Sequence, residues 1–228
     1  MSQTPRRLVS GPSSVSRKIS DSTVRRLSQY LRILEAREGR PRATVSSTDL
    51  AAEAGTTAAQ VRKDLSLFGS FGKRGLGYAA GDLADRLRAI LGLQRVWRVA
   101  LVGAGRIGSA LFEYADFRRR GFDIVAVLDV DRSKIGTQWS GAVEVEDVIA
   151  LEAVLEREAV DVVILAVPAA AAQEVADRAV AAGVRGILNF APLQLRVPED
   201  VSVQDVNVVT ELEALSFDLT HLRANGSD

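Results

Sequence analysis

Residues Gly103-Ala104-Gly105-Arg106-Ile107-Gly108 carry the spacing of a turn that cradles a dinucleotide pyrophosphate. The residue types fit the chemistry: Gly103 permits a tight turn, Gly105 lets the backbone approach a phosphate with no Cβ in the way, and Gly108 allows a helix to pack closely on a strand. Asp129 follows Gly108 by twenty-one residues, in Val127-Leu128-Asp129-Val130-Asp131, where a carboxylate can accept from ribose hydroxyls. The elements needed to hold this turn are present. Val99 to Val102 is a short apolar run of strand character, and the amphipathic run Ile107 to Phe117 reads as the helix that follows. A glycine-rich strand-to-helix turn with an unrelated Asp after it is the alternative.

A second group of polar residues lies in the N-terminal half. The segment Ala58 to Leu67 reads as a helix with Val61, Leu65 and Phe68 toward a core. Its other face offers Gln60, Arg62, Lys63 and Ser66, the donors and acceptors that contact phosphates and base edges in a major groove. Before it, a helix starts near Ser20 or Asp21, carries Val24, Leu27, Leu31 and Leu34 at helical spacing, and meets a stop at Gly39 and Pro41. Its exposed face holds Arg25, Arg26 and Arg32. Ser46 or Ser47 can cap a further helix, Thr48 to Ala54, ended by Gly55, and Thr56 or Thr57 can cap the recognition-helix candidate. Two short helices joined by a glycine turn form a helix-turn-helix. The stretch Gly69 to Tyr78, rich in glycine and aromatics, suits a tight β-hairpin presenting Lys73 and Arg74, the wing of a winged helix. A solvated basic helix face is the competing reading of Arg62 and Lys63.

Composition agrees with two modules. The 228 residues are 47% hydrophobic and 25% charged, as in an ordinary globular chain with room for two modest domains. The net charge of zero hides an asymmetry: residues 1–95 hold 17 Lys/Arg and 8 Asp/Glu, whereas residues 96–228 hold 12 and 21. The basic half suits a polyanionic partner. With no Cys, disulfides, thiolate metal sites and cysteine nucleophiles are excluded, so any redox response must act through a bound ligand. No metal-ligating spacing is present. The basic, Ser- and Pro-containing lead of residues 1–19 reads as a flexible arm, with no apolar leader segment, and the longest apolar run, Val162 to Ala172, is too short to span a bilayer. A cytoplasmic protein with no membrane partner is expected.

Gln60-Val61-Arg62-Lys63-Asp64-Leu65-Ser66, Lys73-Arg74-Gly75-Leu76-Gly77-Tyr78, the glycine turn at Gly103, and Ile187-Leu188-Asn189-Phe190-Ala191-Pro192 follow one another in an order that resembles the Rex family of redox-sensing repressors. The resemblance covers roughly residues 20 to 220. It implies a homodimer that binds a palindromic double-stranded DNA operator, with NADH and NAD as regulatory ligands and release when NADH is bound. It also implies that Arg106 and Tyr114 lie near the nicotinamide end, in a polar arrangement whose third member in many relatives is an aspartate. This chain has Asn207 there, an amide that cannot neutralise Arg106, with Asp205 as a displaced substitute on the same strand face.

The remaining half alternates strand and helix: strand Asp161 to Val167, helix Ala171 to Ala182, strand Gly186 to Phe190, a pattern of a parallel sheet covered by helices. Val167, Pro168, Phe190, Ala191 and Pro192 then fall at strand ends, on the edge where such sheets hold ligands, and would line the nicotinamide side. Phe190 favours a neutral reduced ring over the cationic oxidised one, because an apolar wall desolvates charge. Glu211 to Leu222 carries Leu212, Leu215, Leu219 and Leu222 as one stripe of a terminal helix, which the resemblance has exchanged between subunits. The expected architecture is α/β: arm 1–19, winged helix-turn-helix domain 20–85, Rossmann-like NAD(H)-binding domain 95–206, and C-terminal dimerisation helix and tail 207–228. Two rivals share the Rossmann domain. An NAD-dependent oxidoreductase needs an acid or base that the lone His221 does not obviously supply. A regulator for another nucleotide, such as NADP or a CoA-like molecule, could use Arg132 and Lys134.

Overall fold

The structure, a computed structural model, describes residues 19–37, 44–71, 77–139 and 143–224. The arm, the Gly39–Pro41 stop and the cations Lys73 and Arg74 lie outside the described residues. The chain divides into two compact units, residues 1–94 and 95–228.

The first unit holds α1 (Asp21–Glu35), β1 (Thr44–Val45), α2 (Ser47–Ala54), α3 (Ala58–Ser66), β2 (Tyr78–Ala79) and α4 (Ala80–Ile90). Side chains set these boundaries. Ser20 caps α1 through Thr23 N–H, Ser46 and Asp49 form a capping box on α2, and Thr57 accepts from Gln60 N–H at the start of α3. Gly55 ends α2 at φ 62°, a left-handed conformation that lets the chain turn at once into α3. Leu27, Tyr30, Leu31, Leu34, Leu50, Val61, Leu65, Leu83 and Leu87 form the core. Val24 is exposed, and Thr23 and Tyr30 take the buried places on α1 instead. Of the hairpin expected over Gly69 to Tyr78, residues 72–76 lie outside the described residues; Gly69–Phe71 is not strand, and β2 pairs antiparallel with β1.

The second unit holds β3 (Trp97–Val102), α5 (Arg106–Phe112), α6 (Ala115–Arg119), β4 (Phe122–Asp129), β5 (Val145–Asp147), α7 (Leu151–Arg157), β6 (Val162–Leu165), α8 (Ala169–Ala181), β7 (Gly186–Asn189), β8 (Ser202–Asp205) and α9 (Val208–Ala224). Six strands form a sheet in the order β5-β4-β3-β6-β7-β8, and every pairing is parallel. The order reverses between β3 and β6, so a crevice opens at their carboxyl ends. Buried Ala100, Val102, Leu128, Val163, Leu165, Ala172 and Ala176 fill one face of the sheet. Val99, Leu101, Val127 and Ile164 fill the other.

The single helix expected from Ile107 to Phe117 is two. Tyr114 takes an extended conformation (φ −72°, ψ 96°) between α5 and α6. The break has a packing reason: residues five apart on one helix point about 140° apart, yet Phe112 and Phe117 both pack against the same cluster. Phe112 also meets Trp139 edge-on, with ring centroids 4.9 Å apart. The terminal helix is longer than expected, beginning at Val208, and every described side chain from Asn207 to His221 is exposed.

Candidate functional site

The glycine turn leaves the carboxyl end of β3 at the point where strand order reverses. Gly103 has φ 105°, and a Cβ there would lie 2.4 Å from the Ala166 carbonyl oxygen and 3.3 Å from a methyl of Val167. The turn and the segment just after β6 therefore touch, at Ala166 and Val167. Gly108 comes closer still, since its Cβ would sit 1.9 Å from the Gly103 oxygen. At Gly105 a Cβ would meet nothing within 4 Å, so the space above the turn is open where a diphosphate needs it. No side chain caps α5, and Arg106 and Ile107 are exposed at its first turn.

Asp129 is buried behind this turn, 8% exposed. Its Oδ2 accepts from Ala104 N–H at 2.7 Å and from Lys134 Nζ at 3.1 Å, and its Oδ1 accepts from Asp131 N–H at 2.8 Å. Burial pushes the Asp129 carboxyl up, but these donors outweigh it and hold the group below the usual carboxylate range. Sequence reasoning placed Asp129 on a ribose; the structure adds that it clamps the glycine turn and that Lys134 shares it.

At the end of β7, Asn189 is buried and uses its whole amide: Nδ2 donates to the Leu193 carbonyl and to Asp205 Oδ1, each at 2.8 Å, and Oδ1 accepts from Ala191 N–H at 3.0 Å. Phe190 packs against the cluster that contains Ala104. Ala191, Pro192, Asp205 and Asn207 line an open groove of about 420 Å³. Asn207 caps α9, its Oδ1 accepting from Val209 N–H at 3.0 Å. Tyr114 lies in a different cavity, with Phe117 and Phe122, and its hydroxyl faces Asp116 at 3.5 Å. Within one chain the described residues do not bring Tyr114 and Asn207 into one cavity.

In the first unit, α3 exposes Arg62, Lys63 and Ser66 and keeps Gln60 half-buried. Arg62 donates to Ser47 Oγ at 3.0 Å, bracing α3 on the start of α2, and Ser66 Oγ donates to the Lys63 carbonyl. Arg26, expected on an open face, instead makes a two-pronged pair with Asp64, Nε to Oδ2 at 2.7 Å and a terminal nitrogen to Oδ1 at 2.8 Å. Tyr30 and Gln60 donate to the same carboxylate. Asp64 was the residue that sequence reasoning passed over; an Asp at the fourth place after Gln60, flanked by Val61 and Leu65, was the available signal.

The fold and sites define a class: a helix-turn-helix unit with a basic reading face, joined in one chain to a Rossmann-type nucleotide cleft. Residues 18–66 match the family described as putative DNA-binding protein N-terminus, and residues 94–193 match the CoA binding domain family. The chain is 50% identical to the redox-sensing transcriptional repressor Rex of Carboxydothermus hydrogenoformans over 89% of this chain and 97% of that one. Among solved structures, it resembles RSP in complex with β-NAD+ and operator DNA (TM-score 0.84, 36% identity, 90% of this chain and 94% of that chain). It also resembles RSP in complex with β-NADH (TM-score 0.81, 34% identity, 92% and 98%). The chain belongs to the Rex family of redox-sensing transcriptional repressors.

Proposed function

We propose that this protein is a transcriptional repressor that binds a palindromic operator as a homodimer and lets go when NADH occupies the Rossmann cleft. The observation that carries the reading is the pairing, in one chain, of a helix-turn-helix unit with an open glycine turn at the switch point of a parallel sheet. The similar RSP structures, with β-NAD+ and operator DNA and with β-NADH, support the same pair of ligands.

In this reading Gly103, Ala104, Gly105, Arg106, Ile107 and Gly108 hold the pyrophosphate, and Asp129 takes the ribose side. Val167, Pro168, Phe190, Ala191 and Pro192 wall the nicotinamide, with Arg106 and Tyr114 near that end in the assembled dimer. Gln60, Arg62, Lys63 and Ser66, with Lys73 and Arg74, face DNA. Leu212, Leu215 and Leu219 on α9 pack against a second copy, and Asn207 holds the start of that helix. A seventeen-residue helix with all its described side chains exposed is marginal in water without such a surface. The ligand is a switch and nothing is turned over; His221 sits on α9 with Nδ1 against the Phe217 carbonyl, which gives it no proton-transfer partner in the cleft. The place of action is the cytoplasm, where genomic DNA and the nucleotide pool meet.

The test is fluorescence anisotropy of a labelled Rex-type palindromic duplex, titrated with NADH and with NAD at one fixed salt concentration. Release by NADH at concentrations where NAD does little is expected. Arg62→Ala and Lys63→Ala should weaken the duplex complex and leave NADH binding intact. Tight DNA binding that ignores both nucleotides would refute the sensor.

A further inference from the structure

The recognition-helix candidate α3 buries a carboxylate. Asp64 is 1% exposed, on a helix whose outer face is basic. A buried charge is tolerated only when its lone pairs are satisfied, and an ionised carboxylate offers about four acceptor positions. Four donors meet them: Arg26 through Nε at 2.7 Å and a terminal nitrogen at 2.8 Å, Tyr30 hydroxyl at 3.0 Å and Gln60 Nε2 at 2.8 Å. Arg26 also donates to Thr23 Oγ1 at 3.2 Å, so the cluster locks α1 to α3.

The contact with Gln60 has a chemical consequence. An ionised carboxylate only accepts, so the amide end that faces it must be the NH2. Gln60 then keeps one N–H and its carbonyl oxygen, in a fixed order. An acceptor beside a donor complements the major-groove edge of adenine, which shows an N6 donor beside an N7 acceptor; guanine shows two acceptors and thymine an acceptor and a methyl. Gln60 is the third residue of α3 after its Thr57 cap, at the end of a recognition helix that meets base edges.

We propose that Gln60 reads an adenine in each operator half-site and that Asp64 is the positioning residue that fixes the orientation of its amide. The inference rests on the DNA-reading role proposed above. Holding the amide before DNA arrives also removes the entropy loss that ordering a free glutamine would impose. It separates the members of α3 into two kinds: Lys63, an exposed point charge, favours any duplex, whereas Gln60 discriminates.

The experiment is selection of bound sequences from a pool of randomised duplexes by the full-length protein, by Gln60→Ala and by Asp64→Asn. The wild-type protein should enrich an A·T pair at one position of each half-site. Gln60→Ala should lose roughly 5- to 150-fold of preference at that position and keep the others. Asp64→Asn, in which an amide can now donate to the Gln60 oxygen, should lose preference at the same position. A Gln60→Ala pool identical to wild type, or one weakened equally at every position, overturns the inference and leaves the DNA reader standing. A wild-type pool with no enriched sequence overturns the DNA reader itself. Should Asp64→Asn fail to fold, side-chain 15N relaxation of the wild-type protein decides: the Gln60 amide should be rigid beside the exposed Gln94, and equal mobility of the two overturns the lock.

Discussion

Gly105→Val separates ligand binding from folding. Gly105 has φ −82° and ψ −168°, extended backbone that any residue adopts, and an added Cβ meets nothing within 4 Å. It stands at the N-cap of α5, where an apolar residue is worse than glycine by up to about 1 kcal/mol. A stiffer unfolded chain offsets part of this, by about 0.4–1 kcal/mol. The unliganded variant should therefore melt within about 4 °C of wild type. A pyrophosphate drawn onto the turn would collide with the new side chain. Overpacking of this kind costs about 3 kcal/mol at the upper end, roughly 150-fold in Kd.

The assay is thermal unfolding with and without NADH. At about 100 times the wild-type Kd, linkage stabilises wild type by about 2.7 kcal/mol, roughly 5–11 °C. The same concentration lies below the variant's Kd, and its shift should be about 1 °C. Gly108→Ala should do the reverse. Its Cβ falls 1.9 Å from the Gly103 oxygen and 3.0 Å from the Gly103 carbonyl carbon, so backbone must move and the unliganded protein itself should lose stability. An NADH shift in Gly105→Val equal to wild type would refute the assignment of the turn. A Gly105→Val protein that does not fold would refute the claim that the space above it is open.

Leu215→Glu with Leu219→Glu should yield monomers by sedimentation equilibrium, since each buried leucine contributes about 1.5–3 kcal/mol; an unchanged dimer would remove α9 from the interface. The Asp64 carboxyl is pushed up by burial but held, on balance, below its ordinary value of 3.8 by Arg26, Gln60 and Tyr30. A depressed acid contributes stability that is complete above the unfolded pKa and is lost as pH falls through the folded one. The first unit should thus weaken below about pH 4, and Asp64→Asn, less stable at pH 7, should show a flatter urea midpoint between pH 5 and 3; parallel pH profiles would contradict the cluster. Asn207→Ala should cost α9 about 1 kcal/mol of cap energy while Asn207→Asp costs nothing, read as helical circular dichroism of the dimer; equal losses would show that the cap is idle.

The architecture was readable because its signals are local. Ser20, Ser46 and Thr57 mark helix starts, Gly55 marks a turn, and the glycine spacing at 103, 105 and 108 records close approaches now seen as distances. What escaped was set by tertiary partners. Nothing near Arg26 in the sequence announces a carboxylate thirty-eight residues away, so it read as a solvated cation. Val24 sits on the periodic stripe of α1, yet Thr23 is buried in its stead because it joins the Arg26 cluster. The break at Tyr114 could not be read from periodicity, for the run stays amphipathic while two aromatics demand one cluster. Asn207 read as a lost charge; its cap on α9 depends on helix geometry that substitution patterns do not carry.

A sensor of this build needs a ligand that distinguishes two states, and the second unit shows where the distinction can arise. The Asp129 carboxylate ties the glycine turn at the floor of the cleft to the end of β4, and contacts that are the same in two states shift nothing between them. The wall formed by residues 190–193 is different. Asn189 ties it to Asp205, Val206 N–H donates to the Asn189 carbonyl at 2.8 Å, and Asn207 next in line caps α9. In the proposed function, a displacement of that wall by the nicotinamide is expected to reach α9, whose described side chains are exposed. Coupling through that helix must be reciprocal: if NADH weakens operator binding tenfold per site, about 1.4 kcal/mol, the operator weakens NADH binding by the same factor. In the proposed function, Phe190 would act through charge exclusion on which nucleotide enters, and the hydrogen-bonded wall on what its entry does.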